Sequence, residues 1–157
     1  MPHALSIDLE TYSSVPIRET GAWKYIESDD FEILLLAYSL DGAPVQVIDL
    51  ASGETVPEWL INALTDPAYI KHAYNAPFEF GCLQRVYGGM IPSQWRCTMF
   101  HGLYCGYTAG LDATGKALGI ARRQAETCHR QSTDPVFLSA LQAVQSERWP
   151  DAEPSEA

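Results

Sequence analysis

Long hydrophobic runs are missing from this chain of 157 residues. The longest, Ile33 to Tyr38, falls far short of the roughly 20 residues that span a bilayer, and no basic-then-apolar leader opens the sequence. A soluble, cytoplasmic protein with no membrane partner is the expectation. Basic residues are also scarce, with 10 Lys and Arg facing 20 Asp and Glu for a net charge of -10. That balance excludes a general electrostatic grip on nucleic acid, so any such contact has to be local or helped by bound cations. Cys82, Cys97, Cys105 and Cys128 form no Cys-x-x-Cys pair and no finger spacing with His72, His101 or His129. Neither a disulfide framework nor a zinc finger is indicated, and the thiols read as reduced. What the chain does have is a 46% apolar share, enough for a one-domain core.

Residues 4–10 (ALSIDLE) alternate with the period of a strand, Leu5, Ile7 and Leu9 on one side and Ser6, Asp8 and Glu10 on the other. A polar, turn-rich stretch follows. Residues 31–40 and 44–50 then read as an antiparallel hairpin turned at Asp41-Gly42 and pairing onto the first strand. Residues 57–64 predict a helix opened by Pro57 in its first turn and stopped by Asp66-Pro67, and residues 70–74 a short strand. Pro77 starts a second helix, with Phe78, Cys82, Leu83 and Val86 at helical intervals until Gly88-Gly89. A strand over 95–98, a helix over 99–105 and a helix over 111–118 ended by Gly119 complete the pattern. Strands followed by alternating helices and strands imply an α/β fold with a mixed sheet flanked by helices.

The chemistry starts with Asp8-Leu9-Glu10. Residues two apart on a strand project from one face about 7 Å apart. Inside a hydrophobic sheet, paired carboxylates repel and cost desolvation unless a divalent cation neutralises them, and hard oxygen ligands favour Mg2+ or Mn2+. The plainer alternative is a strand at the sheet edge with a solvated acidic face. Glu79, in the first turn of its helix, has a plain reading too, as a carboxylate complementing the helix dipole. Trp95, Met99 and Phe100 read as core, or as sheet surface left uncovered if a C-terminal helix is lacking.

The stretches IDLETYSS, FEILLLAYSLDG, VQVIDL, KHAYNAPFE, WRCTM and LDATGKALGI occur in this order. Together they resemble the N-terminal, proofreading-type 3'-5' exonuclease domain of phage and prophage family A DNA polymerases, members of the DEDD superfamily. The resemblance covers about residues 4 to 120. It implies a ribonuclease H-like fold, a single-stranded DNA 3' end as partner in a bacterial cytoplasm, and hydrolysis by two Mg2+ or Mn2+ ions. Asp8 and Glu10 then match the first-motif metal ligands and catalytic carboxylates, Glu79 the second-motif acid, and Thr11, Asn75 and Phe78 the substrate-binding positions. Glu79 stands where the wider superfamily has Asp, while the nearer phage relatives use Glu.

The fourth carboxylate of that superfamily has no clear counterpart. His129 and Asp134 have the His-x-x-x-x-Asp spacing of its histidine subclass, where they would act as general base and metal ligand, although Pro135 disfavours a helix at Asp134. The domain is therefore expected over residues 1–121, truncated at its C-terminal side, with weak or absent hydrolysis. Residues 122–157 are expected to be an out-of-frame, poorly ordered tail. A one-base shift near Ala121 to Arg123 lets the codons from Cys128 onward spell a basic segment similar to the one found there in the phage polymerases. The alternatives are a noncatalytic DNA-binding or pseudogene remnant, and an active nuclease using His129 and Asp134. The polymerase motifs of such relatives lie beyond the matching stretch.

Overall fold

The structure, a computed structural model, describes residues 2–108 and 110–118. Cys128, His129, Asp134, Gly119 and the expected tail lie outside the described residues. The chain forms two units, Met1–Cys105 and Gly106–Ala157, and the sheet belongs to the first.

The alternation of the first segment becomes β1 (His3–Tyr12), with Leu5, Ile7 and Leu9 buried and Ser6, Asp8 and Glu10 exposed. It lengthens by one residue before the expected span and two after. β2 (Glu32–Leu40) and β3 (Gln46–Asp49) form the expected hairpin. Asp41 and Gly42 both take positive φ at its turn, 51° and 77°. For a non-glycine residue that conformation is costly. Asp41 is held there because its carboxylate accepts from the Ala4 amide at 2.8 Å and pairs with His3 Nδ1 at 2.7 Å.

β4 (Tyr69–Ala73) and β5 (Trp95–Cys97) complete a five-stranded sheet in the order β3-β2-β1-β4-β5. The β1–β2 and β2–β3 pairs are antiparallel, and the β1–β4 and β4–β5 pairs are parallel. β1 is thus the central strand. Its pairing with β4 stops at Ser6, so at Asp8 and Glu10 only β2 runs beside it, and both side chains are exposed, as the edge reading has it.

Cross-strand register puts Leu36, Tyr38, Lys71 and Trp95 on the same face as Leu5, Ile7 and Leu9. Two helices cover that face. α2 (Glu58–Thr65) buries Leu60, Ala63 and Leu64 and sets Trp59 edge-on to Tyr38, centroids 5.5 Å apart. α3 (Ala76–Val86) buries Ala76, Glu79, Cys82 and Leu83 and sets Phe80 edge-on to Trp95 at 5.9 Å. Each fully buried leucine contributes about 1.5–3 kcal/mol of transfer free energy to this core. Pro57 caps α2 in an extended conformation instead of entering its first turn, so the helix starts one residue later than expected. Gly88 and Gly89, with φ of 68° and 73°, end α3 as read from the sequence. Trp95 is core, whereas Phe100 is exposed.

One helix was not anticipated. α1 (Ile17–Ile26) occupies the polar stretch after β1. Gly21 breaks its helical geometry with φ 82° and ψ 163°, and its buried residues, Tyr25 and Ile26, sit in the last turn, so no apolar period develops. Its packing depends on Gly81 of α3, where an added Cβ would stand 3.0 Å from Ile26 Cδ1. α4 (Thr98–Tyr104) has no buried residue. In the second unit, α5 (Leu111–Ala117) is braced by a Lys116–Asp112 pair at 2.6 Å and by Thr114 Oγ1 donating to the Thr108 carbonyl at 2.8 Å.

Candidate functional site

β4 pairs with β1 only as far as Ser6–His72. From Ile7 onward that side of β1 has no strand beside it, and the chain leaving β4 turns at once into α3. The parallel β1–β4 arrangement therefore brings the start of α3 to the C-terminal half of β1, where Asp8 and Glu10 are. Ligand sites of open α/β sheets form at such strand ends.

Electrostatic coupling links Asp8 to both Glu10 and Glu79. Asp8 has its pKa raised, chiefly by partial burial and against a backbone hydrogen bond at Leu9. Burial also raises Glu10, and the charge of Asp8 adds to the effect. Glu79 is pushed up to about 7 by burial, opposed by a backbone hydrogen bond and assisted by the charge of Asp8. Asp8 thus acts on both of the other carboxylates. Glu79 is only 6% exposed, and its Oε2 is buried with no hydrogen-bond partner. Glu79 sits in the first turn of α3, where the dipole reading puts it, and has a backbone hydrogen bond there, but it is buried. Beside it, the Cys82 thiol is pushed up to about 12 by burial and then by the charge of Glu79. A thiol with that pKa stays protonated and inert.

The donor set fits a hard divalent cation, with three oxygen-bearing side chains whose charged forms are all disfavoured and one oxygen left without a partner. Among the described residues, however, no three His, Cys, Asp or Glu side chains are grouped closely enough to hold a metal ion.

Two of the three residues matched to substrate binding, Thr11 and Phe78, share a neighbour that the sequence reading missed. Thr11 Oγ1 and the Tyr25 hydroxyl are hydrogen-bonded at 3.0 Å. Phe78 is half-buried with its ring 6.1 Å from that of Tyr25, and Phe31 packs edge-on to Tyr25 at 5.9 Å. Asn75 caps α3 through its backbone, its carbonyl accepting from the Phe78 amide at 2.8 Å, and it is exposed. Burial raises the pKa of Tyr25; the Thr11 hydrogen bond opposes this, and the charges of Cys82, Glu10 and Asp30 add to it. The phenol therefore keeps its proton at neutral pH. The adjacent apolar pair Tyr25-Ile26 ending a polar stretch was the signal available.

On the acid-bearing face, register places His72 level with Ser6 and with Arg96. Burial lowers the His72 pKa, with Arg96 and His101 adding to the effect. Arg96 supplies positive charge on this face, while the lowered pKa keeps His72 neutral at neutral pH. No helix among the described residues is long and apolar enough to cross a membrane.

No family model matches the chain. It is similar to a DNA polymerase of Bacillus phage SP02, with 46% identity over 121 residues, which is 76% of this chain and 19% of that protein. The chain therefore spans about a fifth of the length of that relative. It is also similar to a solved structure described as the apo form of the nuclease, at a TM-score of 0.53 and 25% identity, covering 73% of this chain and 50% of that one. The mixed five-stranded sheet with its helices is a ribonuclease H-like α/β fold.

Proposed function

We propose that the chain is a 3'-5' exonuclease-type domain of the kind that accompanies phage DNA polymerases. Its ligands would be Mg2+ or Mn2+ and the 3' end of single-stranded DNA. The observation that carries this reading is the buried, unpartnered Oε2 of Glu79, placed where Asp8 couples it to the strand bearing Glu10. A carboxylate so enclosed is either protonated or matched by a cation.

Asp8 would be the shared ligand, with Glu10 and Glu79 on either side of it. Bound divalent cations supply an activated water and stabilisation of the departing 3' oxygen. Glu79 gives up its proton to become a ligand, so cation affinity should rise with pH through about 7. The Tyr25 ring, 6.1 Å from that of Phe78, lies within electrostatic reach of Glu10. The described residues supply three carboxylates, one fewer than the DEDD superfamily uses, and hydrolysis by them is expected to be weak or absent. A noncatalytic DNA-binding remnant is the second reading, favoured by the spread of the three acids.

The test is trimming of a 3'-labelled single-stranded oligonucleotide with Mn2+, run beside an intact phage polymerase. Slow, metal-dependent loss of 3' nucleotides that disappears in Asp8→Ala supports the nuclease. Retention of trimming by Asp8→Ala overturns the site, and a rate equal to that of the intact relative overturns the claim of weak activity. Binding of the oligonucleotide without trimming, unchanged by Asp8→Ala in metal-free buffer, selects the remnant.

A further inference from the structure

β1 and β2 change register between Glu10 and Thr11: Glu10 pairs with Leu35, but Thr11 pairs with Ile33, leaving Leu34 as the extra residue. Such bulges bend and twist a strand pair and re-aim the side chains beside them. The irregularity falls directly after one of the three acids.

At that point the last turn of α1 makes two contacts. Tyr25 bonds Thr11 through its hydroxyl, and Ile26 seats its Cδ1 over Gly81 of α3. One helical turn thus touches both the strand that carries Asp8 and Glu10 and the helix that carries Glu79. Tyr25 is itself held, 9% exposed, between the rings of Phe31 and Phe78. Its hydroxyl is therefore a fixed point to which Thr11 is tied.

We infer that Tyr25 is a positioning residue: its hydrogen bond to Thr11 holds β1 in place opposite the β2 bulge at Leu34, directly after Glu10, and so fixes the aim of Glu10 toward a divalent cation. This rests on the cation-binding reading above and deepens it. Tyr25 acts through Thr11, as groups behind metal ligands orient those ligands.

The experiment is calorimetric titration of the full chain with Mn2+, at a temperature where circular dichroism shows every variant folded. A loss of stability alone does not change such an affinity. Tyr25→Phe keeps the ring and removes the hydroxyl, Thr11→Val removes the same bond from the other side, and Thr11→Ser restores a hydroxyl. Tyr25→Phe and Thr11→Val are expected each to weaken Mn2+ binding about tenfold, with no further loss in the double variant. Thr11→Ser should bind as the wild type does. If Tyr25→Phe fails to fold, Thr11→Val and Thr11→Ser carry the comparison alone. Wild-type affinity in Thr11→Val overturns the positioning role and leaves the cation site standing, provided Asp8→Ala abolishes binding. No Mn2+ binding by the wild type overturns both.

Discussion

Glu79→Gln is expected to stabilise the protein in a chelator at about pH 8 by as much as about 3 kcal/mol. The folded-state pKa of Glu79 is raised from 4.5 to about 7. A group raised in this way contributes stability that is fully present below 4.5, where folded and unfolded chains are both protonated, and lost as pH rises through about 7. Burial and the charge of Asp8 both disfavour the ionised form, so at higher pH the fold carries an unwelcome buried charge. Glutamine has nearly the same volume and does not titrate.

Urea denaturation across this window should show wild-type stability falling toward alkaline pH and a flatter profile in Glu79→Gln. Asp8 and Glu10 shift in the same direction and leave a residual slope. Mn2+ at about pH 8 should recover much of the loss in the wild type and little in the variant. Identical pH slopes in the two proteins would remove Glu79 as the origin.

The second large effect is expected at Lys71, to which the sequence reading gives no role. Its side chain is 0% exposed. The ammonium donates to the carbonyls of Asp66 and Tyr69, each at 3.0 Å, and to Gln94 Oε1 at 2.7 Å. It thereby ties the α2–β4 turn to the 3-10 turn Pro92–Gln94 that precedes β5. Lys71→Ala empties that space and strands three acceptors, and should cost about 3 kcal/mol or more.

Burial lowers the Lys71 pKa from 10.5 to about 8, with the charge of Asp66 opposing. Between these two values the unfolded chain holds a proton that the folded one has released, so stability from this group rises with pH across the window. Burial raises the pKa of Tyr25 and Tyr87 from 10.0, which works the other way at the alkaline end. The contribution of Lys71 is therefore best read as the difference between wild type and Lys71→Met. A methionine variant with the same alkaline rise as the wild type would show that another group titrates.

These two residues mark the reach of the sequence. Glu79 was singled out because its position relative to Asn75, Pro77 and Phe78 is a pattern written within five consecutive residues. What could not be read was that its Oε2 would be buried without a partner, since this follows from α3 lying across the core face. Lys71 sits in a short strand whose exposed and buried positions are too few to show a period. The interior setting of its amine is created by Gln94, a residue far along the chain. Tyr25 escaped for a similar reason: Gly21 interrupts α1, and two buried residues at the end of a helix leave no repeat.

By itself the sequence determined β1 with its two faces, the β2–β3 hairpin and its Asp41-Gly42 turn, α2, α3 and the pairing of Asp8 with Glu10 on one side of a strand. All of these are local, set by periodicity or by backbone preferences within a few residues. Only the tertiary structure decided that β1 is central, that its pairing with β4 ends at Ser6, that the charge of Asp8 reaches Glu79 of α3, and that the Tyr25 hydroxyl bonds Thr11. Those outcomes depend on which strands find each other and which helix crosses which face. They are contacts between segments tens of residues apart, and no short window of the chain contains both partners.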